Sequence, residues 1–362
     1  MTNGSPPAPE KQPMWKRLLP TVLGLGIVVF LFGWVLPQFI DYDAVFRAIG
    51  RISPFEWVLL LLVAAVRFAP EGWIYVAAQP GLNTGQGMQL FLVAETLSNV
   101  PPGGLDLISR FQMTRSWGFS AASSTSATIA SWVFSSLSKL VLPIFAVLFL
   151  AVREIQEDDL DFLALLALVI VGVGTVAVAL ILRSPKLATW AGDLLGTIVG
   201  RVAGIFRKEV KTNFRDLVHE FRDQASDVLR SRTHLGLAAG LAARAASFVV
   251  LLLAVRFVDI PGSEVHWTVI FAAFSIVMAI TVIPIFNLPG ITELILISTL
   301  SRYAGDGFAD EIAAAVFVYR LLTWLLPIPF GGVAYTRWRD NVRGTTGQGP
   351  LDAIDMSSDE PT

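Results

Sequence analysis

The sequence predicts an all-α polytopic membrane protein, with about six full transmembrane helices and two oppositely oriented re-entrant hairpins arranged as two inverted repeats. Three observations predict it. Of 362 residues, 54% are hydrophobic and only 15% charged, whereas soluble domains carry about a quarter charged residues. Several apolar runs reach the roughly 20 residues that span a hydrocarbon core. Two further apolar stretches are interrupted by Pro-Gly, as NVPPGGLD at 99–106 and NLPGITE at 287–293.

Residues 1–14 are polar and proline-rich and read as a disordered leader. The apolar run after them lacks a small-residue cleavage site, so it reads as a retained helix over about 18–40 rather than a signal peptide. Further helices are expected over about 55–78, 120–150, 162–182, 234–257 and 312–335, with broken segments at about 89–111 and 267–300. The tail, 341–362, reads as disordered. The first repeat then covers 15–150 and the second 151–340, with a polar insert at 183–233. Within that insert Val202, Phe206, Val210, Phe214, Leu217 and Phe221 follow helical spacing, with Arg and Lys on other faces. Resting on the anionic inner leaflet is the simplest reading of this amphipathic stretch; covering the cytoplasmic mouth or pairing with a second copy are the others.

Lys and Arg mark the cytoplasmic loops. Lys16 and Arg17 precede the first helix, Arg110 and Arg115 follow the first broken segment, the insert is Arg-rich, and Arg337 and Arg339 follow the last helix. The loops 153–162, 258–265 and 304–311 are acidic and expected outside, while 41–54, with Arg47 and Arg51, fits least well. On this count each broken segment enters and leaves by one face, the first from the cytoplasm and the second from outside. Both termini then lie in the cytoplasm, and the protein is a multi-pass component of the plasma (inner) membrane. The tips match: each has Asn, then Pro-Gly, then an acid four residues after that proline, Pro102 to Asp106 and Pro289 to Glu293. Irregular backbone at membrane depth is tolerated only inside protein or against a wet cavity. Inverted repeats place transporter sites at such breaks near the midplane.

A charge at the centre of a membrane helix costs about 2.5–3.5 kcal/mol on insertion scales, so each one needs a reason. Arg67 and Glu71 can pair at i, i+4, as structure or as function. Glu95 lies four residues before Asn99. Lys139 precedes LVLPIF and Arg320 precedes LLTWLLPIPF, one cation from each half; Arg244 adds a third. Arg256, near a helix end, is expected to snorkel. Ser124, Thr128, Ser131, Ser135 and Ser138 form one helical stripe, read either as tight packing or as a hydroxyl-lined path.

The sequence has no cysteine and three scattered histidines. It contains no HExxH, GxSxG, Walker A or Gly-rich dinucleotide pattern, so no enzyme activity, cofactor or metal is expected. EDDLD at 157–161 reads as a solvated loop, and the net charge of −2 points to no nucleic acid.

YRLLTWLLP at 319–327, RSWGFS at 115–120 and the two Pro-Gly tips carry a resemblance. From about residue 15 to 340 the chain resembles the flippase-like integral membrane family that includes the transmembrane region of lysylphosphatidylglycerol synthase. The family's first motif is matched by Pro102, Gly103 and Arg110, but Asp106 stands where its second glycine would be and Leu107 where its glutamate would be. In the second motif Glu293 replaces a glycine and Leu296 the acid. In the two-domain synthases a soluble aminoacyltransferase domain follows; this sequence ends at 362, and that activity is expected to be missing. The resemblance implies movement of an anionic or aminoacylated phospholipid between leaflets. In that reading Arg320 and Lys139 attract a phosphate at mid-membrane and Arg110 receives it at the cytoplasmic end. Asp106 and Glu293 balance charge or hold a cationic headgroup. Two alternatives stay open: a flippase for a polyprenyl-phosphate-linked glycan, and a scaffold for a separate lipid- or glycan-modifying enzyme. The expected partners are a membrane lipid and either a second copy of the chain or such an enzyme.

Overall fold

The computed structural model describes residues 42–98, 105–152, 214–282, 290–304 and 307–346, and every regular element among them is helical. They are α1 (Tyr42–Arg51), α2 (Pro54–Val66), α3 (Phe68–Ala78), α4 (Thr84–Ser98), α5 (Leu105–Ser116), α6 (Ala121–Val152), α7 (Phe214–Phe257), α8 (Trp267–Ile280), α9 (Ile291–Ala304), α10 (Ala309–Arg320), a π-helical turn (Leu321–Leu325) and α11 (Pro327–Thr346). Four stretches are long and apolar enough to cross a bilayer: Pro54–Ala78, Ala121–Leu150, Ser231–Phe257 and Ala309–Val342. The number among the described residues is therefore four, not six; the helices expected at about 18–40 and 162–182 lie outside them, as do the leader and the acidic loop 153–162.

Proline chemistry explains where two of these spans are interrupted. α2 and α3 meet at Arg67 because Pro70 has no N–H for the carbonyl of Val66. The last span widens into a π turn ahead of Pro327, with the Leu326 N–H donating to the Leu321 carbonyl at 3.1 Å. Pro327 cannot donate to the carbonyl of Thr323, four residues back, and leaves it open to another partner.

Each expected broken segment is a pair of short helices. α4 has 15 residues and α5 has 12, while α8 and α9 have 14 each. At 1.5 Å per residue these are about 18–22 Å long, short of a hydrocarbon core of about 30 Å. α4 packs on α5, and α8 packs on α9.

Contacts define two ends of the bundle. At one, Gln79 donates to Ser123 at 2.7 Å, Arg232 to the Val76 carbonyl at 3.4 Å, and Trp338 Nε1 to Ser116 at 2.9 Å. This end carries Arg115, Arg232, Arg337 and Arg339. At the other, Arg51 pairs with Glu311 at 3.5 Å. Loop 41–54, the doubtful one by charge, is thus mostly the amphipathic α1, held on the same side as Asp310 and Glu311. Arg256, at the end of α7, is engaged by the loop that follows. It donates to the carbonyls of Ile260 and Val265 at 3.1 and 2.7 Å, satisfying two acceptors of that loop.

Part of the insert is described. Residues 214–230 are continuous with the span as one 44-residue helix, α7. Residues 183–213 lie outside the described residues.

The largest core cluster brings together Leu60, Leu251, Phe274, Leu296 and Ile312, from α2, α7, α8, α9 and α10. Edge-to-face rings join α6 to α8 (Phe149–Trp267, 5.3 Å) and α7 to α8 (Phe248–Phe271, 4.9 Å). Small residues let backbones approach where lipid supplies no hydrophobic drive. A Cβ on Gly236 would lie 2.2 Å from the Phe134 ring, and one on Gly240 2.5 Å from Ser138 Cβ.

Candidate functional site

The charged side chains inside the spans gather where the helix interruptions meet. Arg67, Glu71 and Tyr75 are spaced four apart along one face of the first described span. Arg67 is 5% exposed, Glu71 7% and Arg244, from α7, 8%. Arg67 pairs with Glu71 Oε1 at 3.5 Å, and Arg244 bonds the same oxygen. One carboxylate thus serves two guanidinium groups from two spans. Arg67 also donates to the Thr323 carbonyl at 2.8 Å, the acceptor that Pro327 leaves open. Its guanidinium lies 5.9 and 6.0 Å from the rings of Phe68 and Phe91.

Glu293 stands in the first turn of α9, beside the second break. One of its oxygens accepts from the Gly290 N–H at 2.7 Å, capping its own helix, and the other bonds Arg320 Nε. On the other hairpin Asp106 sits in the first turn of α5 and pairs with Arg110 at 3.4 Å, both half-buried. Arg110 lies 5.2 Å from the ring of Tyr75.

Lys139 is half-buried on α6, one turn before Pro143, and makes no hydrogen bond or ion pair with a described residue. Arg244, Glu71 and Glu95 are within its electrostatic reach, and Glu95 is within reach of Arg67, Arg110 and Arg244.

The five site residues expected from sequence therefore fall into three settings. Arg320 is bound by Glu293, Arg110 is bound by Asp106, and Lys139 has no bonded partner among the described residues. Arg67, Glu71 and Arg244 form the buried centre. The spacing of 67, 71 and 75 and the Pro327 four residues after Thr323 were the available signals for that centre. Nothing local in the sequence indicates that Arg244 shares Glu71.

Three hydroxyls of the stripe are used within their own helix. Thr128, Ser131 and Ser138 donate to carbonyls of their own helix at 2.9, 2.8 and 2.7 Å, and Ser138 meets Gly240 on α7.

The family model described as the lysylphosphatidylglycerol synthase TM region matches residues 21–331, most of the chain and all of this site. The chain belongs to that family. No curated protein matches it. Membership places the buried centre, both breaks and the π turn inside the family's membrane region. The described residues contain no group of acids and histidines able to hold a metal ion.

Proposed function

We propose that this protein moves a phospholipid with an anionic or aminoacylated headgroup between the leaflets of the plasma membrane. Lys139 carries the proposal. A purely structural network would neutralise its buried charges, as the Glu293–Arg320 and Asp106–Arg110 pairs do. Lys139 has no such partner among the described residues, yet it sits within a membrane span, where an idle cation is costly.

The architecture supports the same reading. The described residues that flank both breaks approach the middle of the last span. Thr96, just before the first break, donates weakly to the Pro327 and Ile328 carbonyls at 3.4 and 3.5 Å, and Glu293, just after the second, reaches Arg320. The outer ends of α4 and α5 face the arginine-rich end, and those of α8 and α9 face the opposite one. Re-entrant hairpins from opposite sides are the simplest path. The neighbours also correspond between halves: α6 packs on α8 as α11 packs on α4, and α5 packs on α6 as α9 packs on α10. An inverted repeat has this reciprocity. With the arginine-rich end in the cytoplasm, the C-terminus is cytoplasmic, and the extra span expected at 18–40 puts the N-terminus there too.

The test is reconstitution with headgroup-labelled phosphatidylglycerol and an impermeant quencher added outside. Quenching should exceed the outer-leaflet share, and Lys139→Ala should slow the excess by about tenfold or more while eluting as folded protein. Folded wild-type protein giving no excess quenching refutes the proposal.

A further inference from the structure

The guanidinium groups of Arg67 and Arg244 converge on one oxygen of Glu71. Each keeps a buried Nε–H with no hydrogen-bond partner among the described residues. Such donors are costly to leave unmade in a low-dielectric interior. Lys139 adds a third cation, half-buried rather than sealed. The other charges nearby are already matched, Arg320 by Glu293 and Arg110 by Asp106. Three cations against Glu71 and Glu95 leave one positive charge by formal count.

We infer that Lys139 and the Arg67–Glu71–Arg244 cluster form a binding site for a singly charged phosphodiester, and that its charge balance selects against a phosphomonoester. For the lipid form of that ligand the inference rests on the transport reading above. The chemistry is the same in a lipid headgroup and in a water-soluble glycerophosphodiester. A diester carries one negative charge and presents two free oxygens to the ammonium and guanidinium donors. A monoester carries about −1.5 to −2 at neutral pH. Its second charge would be buried without a counter-ion, which is strongly unfavourable away from water. Glu95, in the last turn of α4 beside the first break, sets the count. Making it neutral leaves two positive charges and suits the monoester.

The experiment is calorimetric titration of the full chain in detergent with dihexanoyl phosphatidylglycerol, dihexanoyl phosphatidic acid and, without acyl chains, glycerophosphoglycerol and glycerol phosphate. The diester lipid should bind about tenfold or more tighter than the monoester lipid. Lys139→Met should weaken the diester by about tenfold, and Glu95→Gln should narrow or reverse the preference. A reversal is a gain, which a misfolded variant cannot produce. Equal wild-type affinities for the two lipids, or an unchanged preference in folded Glu95→Gln, overturn the inference. Tight binding of glycerophosphoglycerol, equal to that of the lipid, supports the site and identifies a soluble diester as its ligand. Diester selectivity without lipid movement in vesicles keeps the site and refutes the transport reading. Movement retained in Lys139→Met with binding unchanged overturns the site alone.

Discussion

Arg67 shows how a single side chain is held in a membrane interior. Desolvating a guanidinium costs several kcal/mol, and attraction to Glu71 offsets that only if the remaining donors are used. One is used by the Thr323 carbonyl, which exists as a free acceptor because Pro327 has no N–H. The bond therefore satisfies two buried groups that would otherwise be unpaired. Arg67→Leu should cost about 3 kcal/mol, since it orphans the carbonyl and removes one of Glu71's two cations. A clear fall in the detergent melting temperature is expected; an unchanged one would mean that Thr323 finds another donor. Glu293 is bound on both oxygens, by Gly290 N–H and by Arg320. Its role in this conformation is to cap α9 and neutralise Arg320. Arg320→Ala should thus lower stability as well as transport, whereas Lys139→Ala should lower transport alone, read from melting curves and quenching on the same preparations.

At the scale of elements, α6 and α7 are paired long helices against which short helices of both interrupted segments pack. Their approach depends on Gly236 and Gly240, four apart on one face of α7, against Phe134 and Ser138. Along the serine stripe Thr128, Ser131 and Ser138 turn their hydroxyls back onto their own helix, whereas the buried Ser124 hydroxyl has no partner among the described residues. Gly240→Val should force the helices apart and cost about 2–3 kcal/mol; melting equal to wild type would show that Ser138 can yield. A similarly close approach joins α3 and α4, where a Cβ on Gly87 would lie 2.6 Å from the Gly72 carbonyl and separate the two helices. Element positions were largely legible because apolar length and Pro-Gly punctuation are local properties. The straight continuation of 214–230 into α7 was not, because amphipathic spacing is the same for a helix on a surface and one rising from it.

For the whole molecule, sidedness is the testable property, and the cysteine-free chain makes it accessible. Thr84→Cys and Arg115→Cys should react with an impermeant thiol reagent from one side of the membrane and Ser263→Cys from the other. Labelling of 84 and 115 from opposite sides would show that α4 and α5 cross rather than return.

Composition, apolar run length and Pro-Gly punctuation were enough to establish a helical membrane protein, the four spans among the described residues, the two interrupted segments and the family. They act through neighbours in the chain, so one sequence displays them. Which charges remain unmatched was decided by the tertiary structure alone. Lys139 and Arg320 look alike in sequence, each a cation before a Leu-Pro-Ile. They differ because Glu293 folds onto Arg320, and Arg244 takes Glu71 from another span, 173 residues away. Ion pairing falls off steeply with distance in space and does not depend on distance along the chain. Only the packed helices determine which cations are paired.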